Sequence, residues 1–103
     1  MTHPVDPVSL RFSTHALERM YAQGIMVSEA IDVLRDGEII EDYPNAMRGA
    51  CALILGWIGS RPIHIVAAYS AKDYTLVITA YDPEPSKWSD NFRVRISQSA
   101  GGE

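Results

Sequence analysis

The chain has 103 residues, 47% of them hydrophobic, and a formal net charge of −4 from nine basic and thirteen acidic side chains. That length suits one domain, and the charge speaks against a protein that coats nucleic acid with clustered Lys and Arg, because neutralising phosphates needs a local excess of cations. The single cysteine, Cys51, excludes an internal disulfide; lying in an apolar run, it reads as a small buried hydrophobe in a reducing, cytoplasmic setting.

Residues 1–10, opening "MTHPVDP", read as a flexible arm, since two prolines and polar neighbours give it little to pack and no signal-peptide core is present. "SLRF" is extended. Ser13 or Thr14 caps a first helix that Gly24 closes, with Ala16, Leu17, Met20 and Tyr21 recurring at helical spacing. A second helix takes Ser28 as its cap and Glu29 in its first turn, turns Ile31 and Leu34 inward and stops at Gly37.

From Glu38 the period changes to that of strands: "EIIEDY", then "ACALILGWIG", "IHIVAAYS" and "YTLVITAYD", separated by "PNAMRG", "GSRP" and "AKD". The second of these is nearly all apolar, which expects a central strand covered on both faces; at about half a membrane span it is too short to cross a bilayer. A homodimer would supply the second cover. "PEPSKWSDN" is a loop, "FRVRIS" alternates like a last strand, and residues 98–103 read as a disordered tail. Helices grouped before strands joined by short turns predict an α+β fold over residues 11–97, with two N-terminal helices packed on a four- to five-stranded antiparallel sheet.

His15 and Arg19 stand four apart, on one face of the first helix. An imidazole exchanges protons near neutral pH and a guanidinium grips phosphate with paired hydrogen bonds, so the pair suits phosphodiester chemistry; the plain alternative is a solvated helix face. His64 interrupts an apolar strand, where a histidine is either functional or a hydrogen-bonded part of the core. Thr75, Val77, Thr79 and Tyr81 share one face of the following strand. With Lys72 and Asp73 as the central turn residues, His64 lies opposite Tyr81; with a turn one residue longer it faces Ala80. Lys87 and Trp88 sit in the late loop, Trp88 as a base-stacking platform or as an anchor for that loop. Arg93 and Arg95 share a face of the last segment and either meet phosphates or shield a sheet edge. Histidines at positions 3, 15 and 64 match no metal-ligand spacing, and no cofactor motif is present.

The ordered segments "HALERMYAQGI", "GEIIEDYP", "LILGW", "RPIHIVAAY" and "ITAYDPEPSKW" resemble the bacterial family known as domain of unknown function 4258, over about residues 12–95. That family looks like a distant relative of the RelE-like toxins within the barnase–colicin–RelE group. The resemblance implies a RelE-like fold and a metal-independent endoribonuclease of a toxin–antitoxin system, with RNA as substrate and an antitoxin-like protein as partner. The family motif falls on His15, Ala16, Arg19 and Met20, its strand histidine on His64, its Y-x-P segment on Tyr81 and Pro83, and its late basic residues on Arg93 and Arg95. On this reading His15 and His64 form an acid/base pair, Arg19 clamps phosphate, Tyr81 orients or shares a proton, and Lys87, Trp88, Arg93 and Arg95 hold the RNA. The same fold as a non-catalytic module for protein or nucleic acid is the alternative, and the acidic balance favours it.

Overall fold

The computed structural model describes residues 10–44, 49–69 and 74–96; the expected tail, and all of the expected arm except Leu10, lie outside them. Ten-residue helices α1 (Thr14–Gln23) and α2 (Val27–Asp36) follow a short strand, β1 (Leu10–Phe12). Ser13 caps α1, its Oγ accepting from the Ala16 amide at 3.0 Å and donating to the Ile78 carbonyl at 3.0 Å. Gly24 ends it at φ 69°, a left-handed conformation that glycine adopts without steric penalty. The cap of α2 lies two residues before the expected one. Met26 occupies that position, and Glu29 accepts from the Met26 amide at 2.9 Å, so the reaching carboxylate rather than a serine hydroxyl organises the first turn.

Strands β2 (Glu38–Tyr43), β3 (Cys51–Ile58), β4 (Arg61–Ala68) and β5 (Thr75–Tyr81) fall on the expected segments, except that β4 starts two residues early, Arg61 and Pro62 of the expected turn already pairing with Ile58 and Trp57. They form an antiparallel meander in the order β5-β4-β3-β2, and β1 adds to the outer edge of β5 in parallel. The sheet is therefore mixed rather than antiparallel throughout. The fifth strand comes from Leu10–Phe12 of "SLRF" and not from "FRVRIS", whose only ladder contact among the described residues is a bridge between Arg95 and Trp88. The chain passes from β1 through both helices before reaching β2, so β1 and β5 meet with the same direction, as a parallel pair requires of its long crossover.

Both helices lie on one face. Ala16, Met20, Ile25, Ala30, Val33 and Leu34 pack over Ala52, Ile54, Ile63, Ile65, Ala67, Val77 and Ala80, all with at most 4% exposure. Gly56 sits under α2 because a Cβ there would lie 2.7 Å from Val33 Cγ1. The other face carries Cys51, Leu53, Leu55, His64 and Ala68, also buried. Its His64 end is covered by the chain's own residues 88–95, the cover expected there of a second copy.

The β4–β5 register resolves the alternatives left by the turn. His64 pairs with Tyr81 and Val66 with Thr79, but Ala67 pairs with Val77, so a bulge falls at Ile78. The bulge adds one residue and reverses the alternation. Thr75 and Val77 therefore do not share a face with Thr79 and Tyr81: Val77 joins Ala80 under the helices, while Tyr81 stands beside His64 on the opposite face.

Candidate functional site

α1 runs along β5, held at both ends. The Ser13 amide donates to the Val77 carbonyl at 3.0 Å, and ten residues on, Gln23 Oε1 accepts from the Asp82 amide at 2.6 Å. Arg61, at the start of β4, donates to the last α1 carbonyls, Gln23 and Gly24, and grips Asp82 through Nε at 3.1 and 3.2 Å and Nη2 at 2.9 Å. A cation at a helix C-terminus also meets the favourable end of the helix dipole. These bonds fix the azimuth of α1, and with it the row His15–Arg19–Gln23 at helical spacing.

Arg19 and Gln23 of that row line a cleft of about 410 Å³ together with Tyr81, Asp82, Glu84, Lys87, Trp88 and Arg95. The Arg19 guanidinium carbon lies 5.2 Å from the centre of the Tyr81 ring, a cation–π contact. Arg19 forms no ion pair among the described residues, whereas Arg61 pairs with Asp82, Lys87 with Glu84 and Arg95 with Glu41. Burial pushes the Tyr81 phenol above its ordinary range, which keeps it protonated. Its hydroxyl has no protein partner among the described residues. His15 is exposed one turn back from Arg19 and does not line the cleft.

His64 is brought to the same place but beneath the surface. It is 0% exposed, with the Trp88 ring centre 4.4 Å away and the Tyr81 ring centre 5.5 Å away, both edge-on. Nε2 lies 2.9 Å from the Phe92 carbonyl. A carbonyl has no proton to give, so Nε2 carries the hydrogen and Nδ1 is left as a buried acceptor without a partner among the described residues. Desolvation lowers the affinity of this imidazole for a second proton, partly offset by the Phe92 bond. His64 thus holds the chain crossing above it and has no path to solvent in this arrangement.

Trp88 is 4% exposed, wedged between His64 and the Arg95 guanidinium, 4.6 Å from its ring centre; it is the loop anchor and presents no free face to a base. Arg93 faces a different groove, beside Trp57, where it pairs with Glu38. Of the eight residues singled out in the sequence, the fold brings Arg19, Tyr81, Lys87, Trp88 and Arg95 to one cleft, sets His64 under it, and leaves His15 at its margin and Arg93 elsewhere.

A family model described as a domain of unknown function (DUF4258) matches residues 12–82. The chain belongs to the DUF4258 family. No curated protein and no solved structure matches it. The DUF4258 segment supplies Arg19, Gln23, Tyr81 and Asp82 to the cleft, and Lys87, Trp88 and Arg95 come from beyond the matched residues. Sequence reasoning missed Gln23 and the Arg61–Asp82 clasp. Gln23 was legible as the next member of the row His15–Arg19; Arg61 and Asp82 stand 21 residues apart in two different turns, and only the sheet brings them together. Among the described residues no group of His, Cys, Asp and Glu forms a metal cluster, and no helix is long and apolar enough to cross a membrane.

Proposed function

We propose that this DUF4258 protein is a metal-independent endoribonuclease of the toxin type, with a RelE-like fold, that binds one phosphodiester of RNA in the cleft between α1 and the residues following β5. The observation that carries the reading is Arg19: a cation without a carboxylate partner among the described residues, set over the Tyr81 ring in a cleft that Lys87 and Arg95 also line. Exposed ion pairs such as Lys87–Glu84 and Arg95–Glu41 are worth at most about 1 kcal/mol, so a phosphate can exchange with the carboxylates.

In this reading the RNA 2′-hydroxyl attacks its own phosphorus. His15, exposed one helical turn from Arg19, takes the hydroxyl proton, Arg19 neutralises the charge that builds on the non-bridging oxygens, and the Tyr81 phenol protonates the departing 5′-oxygen. The products are a 2′,3′-cyclic phosphate and a 5′-hydroxyl, and proton exchange with water resets both side chains. The second acid/base group is thus Tyr81, because a sealed His64 cannot reach a phosphate. The setting is the cytoplasm of a bacterium, with an antitoxin-like protein as counterpart.

A non-catalytic RNA-binding module is the second reading, favoured by the placement of the histidines: His64 is sealed and His15 does not line the cleft. One experiment separates them. Purified protein is incubated with a labelled single-stranded RNA in EDTA, and cleavage and retention are scored for wild type, Arg19→Ala and Tyr81→Phe. Cleavage abolished by both substitutions, with binding kept in Tyr81→Phe, is the expected result. Binding without cleavage selects the module, and neither binding nor cleavage by wild type sinks both readings.

A further inference from the structure

We propose that residues 87–96 form a hinged strap whose closed position builds the cleft, and that neutral His64 is the latch that keeps it closed; this deepens the cleft reading above by assigning its regulation.

The strap is a self-contained unit. The Ser89 amide bonds the Val94 carbonyl at 2.8 Å and the Ile96 amide bonds the Lys87 carbonyl at 2.9 Å, making a small hairpin around the Trp88–Arg95 bridge. Its tip is organised by Asn91, whose Oδ1 accepts from Ser89 Oγ at 2.7 Å and the Arg93 amide at 3.2 Å. No backbone hydrogen bond among the described residues joins the hairpin to the sheet below. It is tied down by the bond from His64 to the Phe92 carbonyl, by two exposed ion pairs (Arg93–Glu38 and Arg95–Glu41) and by ring contacts to His64 and Trp57. The connection to β5 holds Pro83, Pro85 and the single 3-10 turn Pro85–Lys87, a place where rigid pieces meet.

Two features oppose closure. Phe92 is held at φ 61°, a left-handed conformation that a bulky side chain rarely adopts. Under the strap, His64 Nδ1 is buried with no hydrogen-bond partner among the described residues, and lifting the strap returns it to water. The closed state therefore sets the burial of Trp88 against these two costs, which offset part of it. A phosphate joining Arg19 on the body to Lys87 and Arg95 on the strap would pull it shut.

The latch titrates. The charged groups facing His64 are Glu41 from β2 and Arg95 from the strap, which act in opposite senses; Tyr81 faces it from β5 with Arg19 of α1 over that ring, and Leu55 of β3 is neutral. A second proton on His64 would place an N–H at Nδ1, where no acceptor lies. The closed form holds that proton less tightly than an ordinary imidazole of value 6.5, so closure is complete above that value and is lost as the pH falls below it.

The test uses the full chain with Trp57→Phe, which leaves Trp88 as the only indole. Between about pH 7.5 and about pH 5.5 the carboxylates stay ionised while an ordinary imidazole titrates. Acrylamide quenching of Trp88 is expected to rise. Exchange protection of the Ser89 and Ile96 amides, corrected for intrinsic rates, is expected to fall by up to about tenfold per pH unit, while β3–β4 amides keep theirs. His64→Gln retains an amide donor without a titrating ring, and its Trp88 exposure is expected to be flat with pH. Strap and β3–β4 amides losing protection together, or a pH response undiminished in His64→Gln, would overturn the latch. None of these readouts uses RNA, so the latch and the nuclease reading fail independently.

Discussion

Arg61→Ala tests whether the site is built by the clasp at the end of α1. The substitution removes the two-pronged grip on Asp82 and the bonds to the Gln23 and Gly24 carbonyls. The side chains of the ion pair are 33% and 47% exposed, so solvent screening limits its contribution to at most about 1 kcal/mol. The cation at the helix C-terminus adds about 0.3–1 kcal/mol. The freed carbonyls lie at the surface and regain water, so no burial penalty is added. We expect a loss of about 0.5–2 kcal/mol, a midpoint in urea that shifts without a change in slope, and a melting temperature lower by about 2–15 °C. The protein stays folded, because domains of this size carry about 5–15 kcal/mol. The site suffers more than the fold: Arg19 is one turn from the released end, and RNA affinity is expected to drop several-fold although Arg61 does not line the cleft. Asp82→Ala and the double variant complete the cycle, with a coupling of about 0.5–1 kcal/mol expected. A stability loss under about 0.3 kcal/mol, within the usual scatter for surface substitutions, or RNA binding equal to wild type would refute the reasoning.

Tyr81→Phe is expected to change stability by less than about 0.5 kcal/mol, because the hydroxyl bonds no protein atom among the described residues and the ring contact with Arg19 survives; a larger loss by chemical denaturation would mean that the phenol is structural. Gly56→Ala is expected to destabilise by about 1–3 kcal/mol, since its Cβ would stand 2.7 Å from Val33 Cγ1 and 3.1 Å from Val33 Cα. In the Val33→Ala background the same change should cost clearly less, and strict additivity would show that the clash is not the cause. Arg95→Ala is expected to leave global stability within about 1 kcal/mol while raising acrylamide quenching of Trp88 in the Trp57→Phe protein, because Arg95 ties the strap through an exposed pair and lies over the indole; unchanged quenching would remove Arg95 from the ties.

Local chemistry was readable wherever neighbours in sequence decide it. Ser13 and Gly24 bound α1 because a hydroxyl acceptor and a residue free at positive φ are what helix ends need. Gly37, the cap that follows α2, is glycine for another reason: a Cβ there would collide with the Val33 carbonyl oxygen. The apolar run of β3 announced a strand buried on both faces. Arg19 and Tyr81 were named as partners in chemistry, and they meet because helix period and strand alternation each aim a side chain correctly.

What the sequence left open depends on contacts between distant segments. The bulge at Ile78 leaves no compositional mark, yet it decides which side chains of β5 stand beside His64. "FRVRIS" alternates as a strand would, but Arg93 and Arg95 find Glu38 and Glu41 on β2, and Phe92 finds His64, so the segment lies across the sheet instead of joining its edge. "SLRF" is too short to declare itself and becomes a strand because the edge of β5 offers it a partner 65 residues away. His64 shows the division most plainly. A histidine in an apolar strand had to be satisfied by something; only the tertiary structure shows that a carbonyl 28 residues later satisfies one nitrogen and that no described residue satisfies the other. Periodicity and capping are written residue by residue, whereas burial and hydrogen-bond partners exist only once the chain has closed on itself.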